Sequence, residues 1–364
     1  MEEPSSERAA GDVVANAREK FACPACGADA NWNPTKQALV CPFCGVESPF
    51  QLPERTAGTV VVEHDLVAAL NRLPGEQGWK AEKTSVRCQS CRAVSVFDAG
   101  KVGRTCEFCG SAQLLPYEEP EPAFSPESLL PLKVSESNAR DLIRRWYGRQ
   151  WFAPNALGRR ALTDTVKAIY LPFWTFDAEA YARWTAESGT YYYTGSGKSR
   201  QRHVNWRPAA GELSHVFDDE LVCASTGIHS GRIRAVEPFP TKELIPYDPG
   251  YVAGWVVERY QLDLRQAAAE AFEQMQATLR SLCARQVPGD THRNLQVDAT
   301  FSRQQFKHIL APVWLVSYVY HARSYQVLVN GVTGQIAGER PWSWIKITLL
   351  VLAILIVLYV VNSN

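Results

Sequence analysis

Runs of apolar residues set out most of the elements of this 364-residue chain. From Ile347 to Val361 every position is apolar except Thr348 and the Tyr359 hydroxyl, so no polar face interrupts the run. As a helix it covers ~22 Å, and counting from Trp342 brings it to the ~30 Å of a bilayer's hydrocarbon, which predicts a transmembrane helix over 342–361. Three other stretches have helical spacing. EHDLVAALNRL (63–73) groups Leu66, Val67, Leu70 and Leu73 before a Pro-Gly stop. Residues 135–152 place Ala139, Leu142, Ile143, Trp146, Tyr147 and Trp151 on one face. Residues 262–286 do the same with Leu264, Ala268, Ala271, Phe272, Met275, Leu279 and Leu282. Cys283 joins that face and Cys223 lies in a strand-like LVCAS, so both read as core fillers. Alternation in YQVLVNGVTGQIAG (325–338) predicts a hairpin whose Asn-Gly turn takes positive φ.

Two internal repeats organise the chain. VKAIYLPFWTFDAEAYAR (166–183) returns 140 positions later as FKHILAPVWLVSYVYHAR (306–323). Lys167, Ile169, Pro172, Trp174, Ala182 and Arg183 fall opposite Lys307, Ile309, Pro312, Trp314, Ala322 and Arg323. Each copy follows a helical segment and continues as β, which predicts a duplicated α+β domain over 132–340. Residues 116–131 hold five prolines and four glutamates and read as a stiff, extended linker. Residues 1–20 are small, polar and charged and read as a disordered tail without the apolar stretch of a signal peptide.

The second repeat carries the chemistry. Cys23, Cys26, Cys41 and Cys44 form two CxxC pairs with fourteen residues between them; Cys88, Cys91, Cys106 and Cys109 repeat the pattern 65 positions on. Phe43 and Gly45 recur as Phe108 and Gly110. Two thiolates at i and i+3 straddle a tight turn, and a following glycine tolerates the positive φ of such a knuckle. Two knuckles close a four-sulfur shell with no position left for water, so each site suits a structural zinc ion. Iron–sulfur or rubredoxin-type iron sites have similar spacings. The modules, 21–50 and 86–115, are too small for cores of their own, so metal supplies their folding free energy. A helical connector, 51–85, separates them. The fold expected is multidomain: two small four-cysteine zinc ribbons, a duplicated α+β domain and one C-terminal transmembrane helix.

Charge narrows the function. With 38 basic and 38 acidic side chains, the whole molecule is not a polyanion binder by net charge. Around the cysteines lie Lys36, Lys83, Arg87, Arg92, Lys101 and Arg104, without the dense basic stripe and stacking aromatics of a nucleic-acid face. YYTGSGKS (192–199) ends like a phosphate-binding loop but has Tyr192 where that loop needs glycine, and Pro208 interrupts the polar segment after it. It is expected to be an exposed hairpin tip. FDDE (217–220) is expected to be a solvated acidic strand edge. His203, His215 and His229 share no metal-ligand spacing with a carboxylate pair. No catalytic constellation emerges, and enzymatic activity, helicase activity included, is not expected.

The order CPACG…CPFCG, CQSC…CEFCG, WFAPNAL (151–157), YLPFWTFDA (170–178), FDDELVCAS (217–225), LIPYDPGYVAGW (244–255) and YQVLVNGVTGQIAGERPWSW (325–344) before the apolar run resembles the bacterial TFIIB-type zinc-ribbon membrane proteins. That family is often labelled as related to the primosomal helicase. The resemblance implies a membrane-bound zinc-ribbon protein associated with flotillin-like SPFH-domain proteins. Only the eight cysteines carry over; CQSCR departs from the CPxCG knuckle at its turn. Arg340, Lys346, Trp342 and Trp344 flank one end of the apolar run, so the positive-inside bias predicts a tail-anchored protein of the cytoplasmic membrane facing the cytoplasm. The function expected is an adaptor recruiting protein partners to that membrane. The alternative is a membrane-tethered nucleic-acid binder acting through its ribbons.

Overall fold

A computed structural model describes residues 21–47, 62–71, 83–98, 105, 106, 108, 109, 111–116, 124–154, 166–320 and 323–363. The expected disordered tail and most of the helical connector fall outside the described residues. In chain order the elements are β1 (Asn31–Asn33), β2 (Ala38–Val40), β3 (His64–Asp65), α1 (Leu66–Asn71), β4 (Lys83–Cys88), β5 (Val94–Asp98), β6 (Leu114–Pro116), β7 (Ser128–Leu129) and α2 (Glu136–Gly148). They continue as β8 (Lys167–Thr194), β9 (Gln201–Cys223), α3 (Ser230–Arg234), β10 (Ile245–Pro246), β11 (Val256–Glu258), α4 (Leu264–Gln286), β12 (Thr291–Tyr320), β13 (Arg323–Asn330), β14 (Ile336–Gly338) and α5 (Trp344–Ser363).

One 12-stranded sheet contains every described strand except β1 and β2, and β8 and β12 are its spine. They run antiparallel, with Leu171 opposite Ala311. Those two residues are also equivalent under the 140-position repeat, so the repeated motifs are related by a local two-fold through this pair. The flanks follow the same relation. β11 joins β8 in parallel at Ile169, and β7 joins β12 in parallel at Ile309. Trp174 Nε1 donates to Leu262 O (3.0 Å), one residue before the Asp263 cap of α4. Trp314 Nε1 donates to Val134 O (2.9 Å), one residue before the Ser135 cap of α2. Each long strand thus bonds, through its tryptophan, to the entry of the helix that precedes the other.

Side chains alternate across a strand, so the spine has two faces. Ala168, Tyr170, Leu310, Trp314 and Val316 face a core shared with Ala139, Ile143 and Tyr147 of α2. Farther along the same face, Trp174, Phe176, Ala178, Ala180 and Ala182 meet α4, whose Leu264, Ala268, Ala271, Met275, Leu279 and Cys283 are buried as the spacing predicts; Ala267 is buried as well, and Phe272 and Leu282 only half-buried. A capping box between Asp263 and Gln266 starts that helix. Ile169, Leu171, Phe173, Ile309, Ala311 and Val313 face the opposite core. Beyond it β9, β8 and the first half of β12 extend as a three-stranded arm with α4 along one face. The segment 192–199 is the exposed hairpin tip between β8 and β9, with positive φ at Gly195 and Gly197.

Several expectations are corrected. The stretch 116–131 is not an extended linker throughout: Leu114–Pro116 pairs with β4, and Ser128, Leu129 and Leu130 are fully buried where β7 inserts between β10 and β12. Hydrogen bonding inside the sheet outweighs the stiffness its prolines suggested. Trp151 is 79% exposed, because α2 ends at Gly148 and the next residues leave the helical register. In the β13–β14 hairpin the positive φ falls on Gly334 rather than at Asn-Gly, and Asn330 Oδ1 instead accepts from the amides of Val332 and Thr333. FDDE is not a solvated edge: a bulge turns Asp219 inward, with positive φ, to pair with Lys307 Nζ at 2.7 Å. Lys307, 6% exposed, also meets Glu63 (3.0 Å), so the acidic run is neutralised by a buried lysine.

α5 is long and apolar enough to cross a membrane, and none of its apolar stretch is buried against the other described residues. Its base is fixed: Ser343 N donates to Phe152 O (2.7 Å), and Lys346 Nζ to the carbonyls of Trp151 and Ala153 (both 2.8 Å). Trp151, Trp342 and Trp344 are exposed around that base, an arrangement suited to a headgroup region.

Candidate metal centres

The eight cysteines form two clusters, Cys23–Cys26–Cys41–Cys44 and Cys88–Cys91–Cys106–Cys109, and within each the four sulfurs lie within 4.8 Å of one another. In the first, Sγ of Cys23 and Cys44 are 3.4 Å apart, Cys26 and Cys41 3.5 Å, and Cys26 and Cys44 3.7 Å. In the second, Cys88 and Cys109 are 3.6 Å apart and Cys91 and Cys106 3.5 Å. A tetrahedral shell with metal–sulfur bonds of ~2.3 Å needs sulfurs ~3.8 Å apart, so both clusters are close to that size. Either could hold a metal ion.

The same backbone bond builds all four knuckles. The amide of each leading cysteine donates five residues ahead: Cys23 to Ala28 O (2.7 Å), Cys41 to Val46 O (2.9 Å), Cys88 to Ala93 O (3.0 Å) and Cys106 to Ser111 O (2.7 Å). The chain then turns through positive φ at Gly27 (70°) and Gly45 (74°). In the departing CQSCR knuckle, Arg92 takes φ 66° and its amide still returns to Cys88 O at 2.9 Å. The turn survives with the conformational cost that a side chain carries in the left-handed region.

Electrostatics favour ionised sulfur at Cys41 and Cys106, while the thiols of Cys26, Cys44, Cys91 and Cys109 are pushed up in the metal-free clusters. Cys41 is pulled down to about 6 by the amide of Cys44, against burial, with help from the amide of Phe43. Cys106 is pulled down to about 5 by the Cys91 thiol, against burial, with help from the amides of Cys109 and Phe108. Amide donors thus stabilise thiolate, the form a metal binds.

The surroundings of the clusters differ. The first ribbon has its own two-stranded sheet and docks through Trp32, which is 2% exposed, packs at a tilt against the Tyr251 ring (centroids 4.7 Å apart, 53° between planes) and donates Nε1–H to Leu132 O (3.2 Å). Its outer ligands Cys26 and Cys44 are exposed. The second ribbon is part of the main sheet: β5 pairs with β11, which pairs with β8. Phe108 between its ligands is fully buried, and its carbonyl accepts from Ser317 Oγ (2.5 Å) and Gln326 Nε2 (2.9 Å). The ribbons therefore pack on opposite faces of one sheet, Trp32 against one core and Phe108 against the other.

Glu258, not singled out from the sequence, is buried beside the second cluster and pushed up to about 8, chiefly by burial. Gln261 donates to it (3.1 Å). A lone carboxylate ending the apolar stretch Val256–Val257 was the available signal. The three histidines do not converge on a site: His203 bonds Thr194, His215 packs edge-on to Phe217, and His229 caps α3.

No protein-family model matches the chain, and no solved structure does. A curated relative, "Uncharacterized protein YdjG" of Bacillus subtilis, is 23% identical over 221 residues. The match covers 60% of this chain and 65% of that protein, slightly less than two thirds of its length.

Proposed function

We propose that this chain is a non-catalytic, zinc-holding scaffold of the cytoplasmic membrane that recruits protein partners. The observation that carries the reading is the combination of two four-sulfur clusters, sized for closed metal shells, with an apolar helix that no described residue buries. All-thiolate sites with Zn–S shells leave no open coordination position, so the metal's work is to hold shape. Zinc suits four thiolates in a reducing compartment better than the harder divalent cations do. Arg340 and Lys346 at the base of α5 favour a cytoplasmic head, and tethering raises the effective concentration of whatever the head binds. The family resemblance points to SPFH-type membrane proteins as partners. The dyad-related strands and swapped tryptophan contacts support a duplicated origin for the α+β domain.

The test is recovery of the full chain from detergent-solubilised membranes after crosslinking, alongside Cys23→Ser and Cys88→Ser variants. The reading expects two zinc ions per chain by elemental analysis and an SPFH-type partner lost in at least one variant. A partner set identical in all three proteins, or none at all, defeats it.

A further inference from the structure

The arm carries a surface that neither the clusters nor the anchor uses. Its face turned away from α4 holds four arginine–aromatic pairs: Arg183 over Tyr181 (5.6 Å), Arg293 over Trp206 (4.2 Å), Arg202 over Tyr191 (4.5 Å) and Arg200 over Tyr193 (4.0 Å). The strand register puts them on one side, since Tyr181, Gly189, Tyr191 and Tyr193 are alternate positions of β8 and Trp206 lies opposite Gly189. Gly189 is required there, because a Cβ would meet the Trp206 ring at 2.8 Å.

Charge along this face changes toward the tip. Near the base Arg183 pairs with Glu212 and Arg293 with Glu187. From Thr190 to Arg207 the sequence has Lys198, Arg200, Arg202 and Arg207 and no acidic residue. Among the described residues no carboxylate lies within ion-pair distance of Arg200 or Arg202. Both are exposed, as are Tyr192 and Tyr193, the latter at 51%. A guanidinium laid on a ring keeps its N–H edge free for a phosphate, and its plane, like the ring's, can stack a base. The aromatic rungs recur every second residue, ~7 Å along the strand, a step that an unstacked nucleotide chain can follow.

We propose that the outer end of this arm binds single-stranded nucleic acid, with Arg200 and Arg202 on phosphates and Tyr191 and Tyr193 as stacking platforms. A bilayer fits the surface less well, because Thr194 to Arg200 offers no aliphatic side chain to insert. Moreover, β8 has 28 residues, ~90 Å at ~3.3 Å each, and α5 emerges at the opposite end of the spine. An acidic peptide would satisfy the arginines but leave the stacking faces unused.

The experiment measures anisotropy of short labelled oligothymidylate and oligouridylate with the full chain in neutral nanodiscs, across a salt series. Arg200→Gln/Arg202→Gln is expected to weaken binding at least ~10-fold and to flatten the salt slope by ~1.4, two phosphate contacts' worth. Tyr191→Ala/Tyr193→Ala is expected to weaken it ~5-fold or more without changing the slope. Unchanged thermal melting shows that these substitutions, three exposed and one half-buried at Tyr191, leave the fold intact. Absence of binding at low salt, variants that bind like the parent, equal competition by polyglutamate, or arm-dependent capture of anionic vesicles without oligonucleotide binding would each overturn the proposal. None of these outcomes bears on metal content or on partner recovery through the ribbons.

Discussion

The two ribbons have identical ligand spacing and the same knuckle bonds, yet they are held in different ways. The first is a separate two-stranded unit pressed against the sheet through Trp32, with its outer ligands in solvent. The second shares strands with the sheet, so its β4–β5 ladder has neighbours whether or not a metal is bound. The cysteine motif dictates the knuckle alone; the strand register around it decides whether the module depends on its metal. The first ribbon should then be the metal-dependent one.

Chelation should give the largest contrast. Structural zinc is worth ~10 kcal/mol or more to a module without its own core, so metal removal should abolish amide-exchange protection across 21–47 while β4, β5 and β11 stay protected. Equal loss in both ribbons would end the distinction. Next, Trp32→Ala removes a buried indole and should cost about 3–5 kcal/mol of docking. Limited proteolysis should then release the first ribbon while metal content remains unchanged; a fall in metal content would mean that docking and ligation are one event.

A smaller, pH-dependent effect belongs to the second ribbon only. Burial keeps Glu258 protonated up to about pH 8, whereas an ordinary glutamate ionises near 4.5. A pKa raised on folding favours the native state at low pH, and that advantage is lost as pH climbs from the lower value to the higher. Glu258→Gln should flatten this decline, so that its stability relative to the parent rises with pH up to about pH 8 by denaturant titration; parallel profiles for the two proteins would show that the carboxyl is already ionised. The smallest effect lies at the knuckles. Arg92→Gly should stabilise the second ribbon by about 1 kcal/mol and Gly27→Ala should destabilise the first by a similar amount, since nothing crowds a Cβ at Gly27 and only its φ resists. Thermal melts read both, and the same sign for both would disprove the turn argument.

Local signals were the legible ones. Cys23 to Cys109 announced both clusters by spacing, α5 was plain from its apolar run, and α4 from its periodicity. The docked position of the ribbons was not legible, because it depends on where Trp32 and Phe108 meet strands distant in sequence. Nor was the inward turn of Asp219, which a one-residue bulge produces. The arm did leave a trace, with Ala178, Ala180, Ala182, Trp184 and Ala186 alternating in the manner of a half-buried strand, but hairpin length is fixed by pairing that composition does not reveal. The linker expectation failed for a similar reason: Ser128 and Leu129 find partners only once β12 is in place.

The pairing of β8 with β12 also bears on how the molecule is made. As the polypeptide leaves the ribosome, β8 can zip onto β9 at once, but its other edge stays bare until β12 has been translated. Contacts this remote in sequence close slowly. The nascent head must keep that bare edge from sticking to its neighbours until residues 291–320 have been synthesised, so the long strand β8 waits half-paired for about a hundred residues of translation.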